Sequence, residues 1–326
     1  MNIFKLKFKY YDKIIINPKI SIFLPVYNKA KYLYRSIGSI QKQTFKEIEI
    51  VPVNDCSKDN SLEILIQISK NDKRVKIINN SENKGLFYSR AMGIINSKGD
   101  YLMNLDPDDE LNGSNCLEFL YNIINRTKVD IISFGISIKS KFKSKKLLKY
   151  SNFGKIYYQP EIFNSASKVS DYLIYNKLIR KELFIKVYNL IKEKLYGEKW
   201  NYGEDEIYSS LVLKNANSMI RTNKIILNYY INNDSIMRNR VNILNVKNLI
   251  TWIEMFEIIY SNREYKKFLF SRFSDLVKIF LNNNLLYILK SNEDIKNKYI
   301  HIFKNMILKY HFNNTNLIKL LNSLQN

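Results

Sequence analysis

The chain has 326 residues, a formal net charge of +22 and 46% hydrophobic side chains. That apolar content supports a sizeable core and excludes wholesale disorder, and no apolar run reaches the roughly 18–20 residues of a membrane span. Two histidines, His301 and His311, and two distant cysteines, Cys56 and Cys116, argue against histidine triads, a zinc site or a disulfide framework.

Residues 1–18 form a basic, amphipathic extension. It lacks the continuous apolar stretch and small-residue cleavage site of a signal peptide, so the expectation is a protein soluble when made. From residue 19 apolar runs alternate with helical patterns. KISIFLPV (19–26), KEIEIVPVN (46–54), RVKIIN (74–79) and DYLMNL (100–105) read as strands. Helical spacing fills the intervals at about 29–41, 60–69 and 86–95, with Asp59-Asn60-Ser61 as a helix N-cap. This alternation predicts βαβ units and a mostly parallel sheet. DIISFGISI (130–138) reads as a further strand, and 139–160 as an irregular basic segment whose run at 139–149 is a solvated loop. The stretch 172–184 passes from strand to helix. Residues 204–216 form an amphipathic helix whose acidic first turn suits the helix dipole, and 218–232 read as strand. From about 240 to the end the spacing is helical, with no evident chemistry.

The polar clusters then fall in register. Tyr27-Asn28 follows the first strand, Asn54-Asp55 the second, and Asp106-Pro107-Asp108-Asp109 the fourth. In an open parallel sheet these positions share one edge, outside the carboxyl ends of the strands, where such sheets bind ligands. Three acids within four residues repel one another, so something must offset their charge.

The ordered set SIFLPVYNKAKYLYRSIGSIQKQTF (21–45), VNDCSKDNSLEIL (53–65), NKGLFYSRAMGIINSKGDYLMNLDPDDEL (83–111), YNKLIRKELF (175–184) and YGEDEIYSSLVLKNANSM (202–219) resembles the family 2 glycosyltransferases. The resemblance covers roughly 19–235 and implies an α/β, Rossmann-like GT-A fold with a mostly parallel central sheet flanked by helices. A helical C-terminal region, 236–326, would follow it. The implied activity is inverting transfer of a sugar from a nucleotide-diphosphate donor, UDP favoured, to a hydroxyl of a glycan, glycolipid or protein. Asp106 and Asp108 match the family's metal-binding Asp-x-Asp, which implies Mn²⁺ or Mg²⁺ as cofactor; Asp109 extends the motif. Hard oxygen ligands suit those ions, which act on the leaving diphosphate as Lewis acids. Asp55 matches the carboxylate that meets the donor's base. Pro25, Tyr27 and Asn28 match the first nucleotide-contacting loop, and Gly85 and Arg90 the segment passing close to the donor. Asp205 matches the family's general base, with Glu204 as runner-up; Trp200 and Tyr202 would lie on the acceptor side, with Asn176-Lys177 helping to shape it.

The sequence departs from the family in places. Asn54 stands where many relatives have Asp. Cys56 stands where many have Gly, which suggests a differently shaped turn. Ile231-Asn232 replaces a frequent Arg, for which Arg238 or Arg240 could substitute. No Gln-x-x-Arg-Trp motif is present, which favours single addition over processive synthesis. The charge keeps an alternative open: a catalytically inactive basic protein on the same scaffold, acting at nucleic acid or an anionic membrane. In the enzymatic reading no specific nucleic acid is expected. The protein is then cytoplasmic, and the basic N-terminus and the 139–149 run could dock it peripherally on an anionic membrane carrying a lipid-linked acceptor.

Overall fold

The computed structural model describes residues 17–232 except 141–143, 147–149, 151–152, 163–164, 166–172 and 194–203, together with Asn297 and His301. The chain divides into two compact units, Met1–Asn233 and Asp234–Asn326. Most of the basic extension, and the helical reading of 236–326, lie outside the described residues.

Four strands form the parallel side of the sheet: β1 (Ile20–Val26), β2 (Ile48–Asn54), β3 (Ile78–Asn79) and β4 (Tyr101–Asn104). Their spatial order is β3-β2-β1-β4. Helices α1 (Ala30–Gln41), α2 (Ser61–Asn71) and α3 (Leu86–Asn96) connect them. β1 is buried along all seven residues, as a central parallel strand covered on both faces must be. That is why it reads as an unbroken apolar run rather than an alternating one. Gly93 lets α3 approach this strand closely: a Cβ there would come within 2.7 Å of the Phe23 ring. β3 is shorter than its apolar pattern predicts. Its start is taken into a turn in which Arg74 donates to both carboxylate oxygens of Asp72, leaving Val75 as an isolated bridge to Ile50.

Beyond β4 the sheet turns mixed, with the order β9-β6-β10-β5. Here β5 is Glu110–Leu111, β6 Ile131–Lys139, β9 Lys177–Arg180 and β10 Ser218–Tyr230. β9 lies antiparallel between β4 and β6, whereas β10 runs parallel to β6. The helices of this half are α4 (Cys116–Thr127), α5 (Lys181–Ile191) and α6 (Glu204–Asn215). Within 139–160, read above as irregular, two short strands appear: β7 (Ser144–Lys146), antiparallel to β6, and β8 (Ile156–Tyr158), antiparallel to β10. Lysines in β7 mark an edge strand protected by charge, which a sequence pattern does not separate from a solvated loop. The observed architecture is the expected α/β fold with helices flanking a central sheet. No helix among the described residues is long and apolar enough to cross a membrane.

Candidate active site

The first two βα loops interlock at the carboxyl edge of the parallel strands. α1 has no side-chain cap from its own first residues. Instead Asp59 Oδ2 accepts from the Ala30 N–H at 3.0 Å, and Ser61 Oγ from the Lys29 N–H at 2.9 Å. The cap read for α2 thus serves α1, while Asp59 Oδ1 also takes the Ser61 N–H. Asn28 adopts a left-handed φ of 52°. Its backbone N–H donates to Ser57 Oγ, and its side-chain oxygen accepts from the Lys58 N–H. Tyr27 beside it is exposed. Pro25, just before this loop, is a buried residue of β1 in register with Val53.

Asp55 is buried and bound by its own chain. Oδ1 accepts from Asn80 Nδ2 at 2.8 Å and from the Lys84 N–H at 2.9 Å; Oδ2 accepts from the Gly85 N–H at 2.8 Å. An ionised carboxylate offers about four acceptor positions, so one is left for a ligand. Asp55 and Gly85 are therefore brought together: the acid fixes the loop that Gly85 ends. Gly85 has φ 91° and ψ 167°, a region essentially reserved for glycine. Cys56, where a different turn was expected, takes φ 56°. That left-handed conformation costs a non-glycine residue on the order of 1–2 kcal/mol. Asn54 is buried, donating from Nδ2 to Asn79 Oδ1 at 2.7 Å while its own Oδ1 accepts the Ser57 N–H. A carboxylate there could not donate.

The acidic turn connects β4 to β5, and the chain supplies cations of its own. Asp106 Oδ1 accepts from Asn104 Nδ2 at 3.0 Å and faces Arg90 Nη2 at 3.4 Å. Arg90 is only 3% exposed, so it is a buried partner rather than a helix-surface one. Asp108 Oδ2 lies 2.7 Å from Lys29 Nζ and accepts from Asn232 Nδ2 at 3.3 Å. Arg35 of α1 donates to the Asp108 carbonyl and lies 3.8 Å from the Tyr230 ring centroid. Asp109 points inward. Its Oδ1 takes the Tyr230 N–H at 2.8 Å, and burial, then the charge of Asp106, push its carboxyl up to about 9. Asp109 ties the turn to the end of β10 and does not simply extend the pair before it. The repulsion noted in the sequence is thus offset by Lys29, Arg35 and Arg90, and by burial of the third acid.

Asp205 sits in the first turn of α6 and is partly buried. α6 is held against α3 by Tyr208 and Phe87, whose ring centroids are 4.9 Å apart. Tyr175 and Tyr229 stack at 5.8 Å. Burial raises both hydroxyls, and the charges of Asp205, Asp106 and Asp109 raise them further. Asn176 and Lys177 are fully buried, with Lys177 Nζ donating to the Leu173 carbonyl at 2.7 Å and to Asn176 Oδ1 at 2.8 Å. These bonds fix the chain at the start of β9. Glu204 begins α6, with its side chain outside the description; Trp200, Tyr202, Arg238 and Arg240 lie outside the described residues.

Sequence reasoning missed Lys29, Arg35, Asn104 and the tyrosine pair. Only Asn232 carried a signal, as the residue beside an expected arginine. Asp106 and Asp108 fit a divalent cation by their chemistry, being hard oxygen donors with side chains 23% and 17% exposed. Among the described residues no group of three or more His, Cys, Asp or Glu side chains could hold a metal ion.

The fold and this acidic edge define a protein of the glycosyltransferase class. The family model for glycosyl transferase family 2 matches residues 21–188, and the chain belongs to that family. The chain is 30% identical over 237 residues to the glycosyltransferase GlyA of Streptococcus pneumoniae, a match covering 69% of this chain and 32% of that protein. It is 36% identical over 113 residues to GlyG of the same organism, covering 35% of this chain and 37% of that one. The matches thus span about a third of these relatives' lengths. In fold it resembles S. aureus TarS 1–349 in complex with UDP-GlcNAc, with a TM-score of 0.65 and 20% identity, covering 89% of this chain and 80% of that one. The complex of the same TarS segment with UDP matches at a TM-score of 0.64.

Proposed function

We propose that the chain is an inverting, metal-assisted glycosyltransferase using a nucleotide-diphosphate sugar, with UDP as the favoured nucleotide. The observation that supports this reading is the part-exposed pair Asp106 and Asp108 in the turn after β4, held by Arg90 and Lys29, on the same sheet edge as the loop fixed by Asp55. The UDP and UDP-GlcNAc complexes of the fold relative support the choice of donor.

Asp106 and Asp108 would hold the cation, which when bound supplies Lewis-acid stabilisation of the leaving diphosphate. Tyr27 and the one acceptor position left on Asp55 receive the base. Arg90 keeps Asp106 oriented, and Asp109 keeps the turn against β10. Asp205 takes the proton of the acceptor hydroxyl as its oxygen bonds to the anomeric carbon and the bond to diphosphate breaks, which inverts that carbon. The acceptor is a hydroxyl of a glycan, glycolipid or protein. The excess of 52 Lys+Arg over 30 Asp+Glu favours approach to an anionic surface. Flotation with anionic vesicles at physiological salt tests that step, and no association would remove it.

Calorimetric titration of the protein with UDP, with and without Mn²⁺, tests the donor site. Binding should require the metal and be lost in Asp106→Ala. Equal binding with and without metal would exclude the metal-assisted reading.

A further inference from the structure

Lys29 precedes α1, and nothing in its sequence context marks it for the acidic turn. Its ammonium nevertheless lies 2.7 Å from Asp108 Oδ2, both side chains being 17% exposed. Asn232 Nδ2 donates to the same oxygen. Arg35 grips the backbone carbonyl of the same residue. One of the two carboxylates read as metal ligands is thus already neutralised by the protein, in a half-buried setting where solvent screens an ion pair poorly.

We infer that Lys29 is a resident counter-ion which a divalent cation must displace from Asp108, so that metal entry is coupled to arrival of the nucleotide diphosphate. The inference rests on Asp106 and Asp108 being the metal ligands. Two carboxylates with Lys29 in place make a weak site for a cation alone. A diphosphate changes both sides of the exchange: it adds oxygen ligands for the metal, and it offers the released ammonium another anion. The protein then keeps its acids paired when no donor is bound and takes up metal with its substrate.

The position suits a clean test. The Lys29 backbone N–H is held by Ser61 Oγ at 2.9 Å whatever side chain it carries, so replacing the side chain leaves that anchor in place. Mn²⁺ binding to the full chain would be followed by the paramagnetic resonance signal of free Mn²⁺, with and without UDP, for the wild type, Lys29→Met, Lys29→Gln and Asp108→Ala. Both Lys29 variants should bind Mn²⁺ without UDP about tenfold more tightly than the wild type, the scale expected for losing a half-buried competing ion pair. Their gain in affinity on adding UDP should shrink correspondingly. Asp108→Ala should bind Mn²⁺ poorly in either condition. Unchanged or weaker Mn²⁺ binding in both Lys29 variants, with Asp108→Ala still defective, would overturn the role of Lys29 and leave the metal site standing. No Mn²⁺ binding by the wild type even with UDP would overturn the metal reading and this inference together.

Discussion

On the parallel side of the sheet, polar side chains bind the protein itself. Asp55 holds the 80–85 segment, Asn54 is paired with Asn79, and Asp59 caps the neighbouring α1. Where the sheet turns mixed, Asp106 and Asp108 face Arg90 and Lys29, and Tyr175 stacks on Tyr229. Asn54 and Asp55 are buried, whereas Asp106 and Asp108 keep part of their side chains exposed. In the proposed enzyme one half of the sheet would build the donor loop, and the other would present acids to the reaction. Substitutions in the first half should cost stability, and in the second turnover.

The largest expected effect falls on Asp205. Asp205→Asn should lower kcat by about 10²–10⁴, the usual worth of a positioned base, while UDP binding and Tm stay near the wild type. A variant that instead loses stability without a selective fall in kcat would remove the contrast between the halves. Next comes Asp55→Ala, which leaves the buried Gly85 N–H without its acceptor and also removes bonds from the Lys84 N–H and from Asn80 Nδ2, which keeps Ser89 Oγ. At about 1–3 kcal/mol for the orphaned buried group, chemical denaturation should show a loss of that size. Asp55→Asn separates its roles: an amide oxygen can replace one carboxylate oxygen but not both. Gly85→Ala should cost about 1–3 kcal/mol through its backbone conformation and weaken nucleotide binding, since the 84–85 N–H groups would shift off Asp55. The smallest effect has the opposite sign. Cys56→Gly should stabilise by about 1 kcal/mol by relieving the left-handed φ, raising the denaturation midpoint without altering kcat.

The parallel half was legible because local signals determine it. β1 and β2 are largely apolar runs, the first three strands are each followed by a helix of regular spacing, and the candidate site residues fall at the strand ends. Pro25 lies inside the strand that the run 19–26 predicts, as the penultimate residue of β1. In the mixed half the pairing partners are far apart in sequence: β8 joins Ile156–Tyr158 to Ser218–Ile220, and nothing local to either announces the match. The counter-ions were hidden for the same reason. Lys29 and Asp108 are 79 residues apart, and in a chain with 52 Lys+Arg no single lysine stands out. The acidic turn pointed to a cation, but the sequence could not show that the protein brings cations of its own.

The most direct test is release of nucleoside diphosphate from a panel of nucleotide sugars, with Mn²⁺ or Mg²⁺ and with chelator, for the wild type and Asp108→Ala. The account predicts metal-dependent release from a UDP-sugar, slowed about 10²-fold or more in Asp108→Ala, as expected when electrostatic stabilisation of the leaving group is removed. Release that persists in chelator and proceeds equally in Asp108→Ala would contradict it.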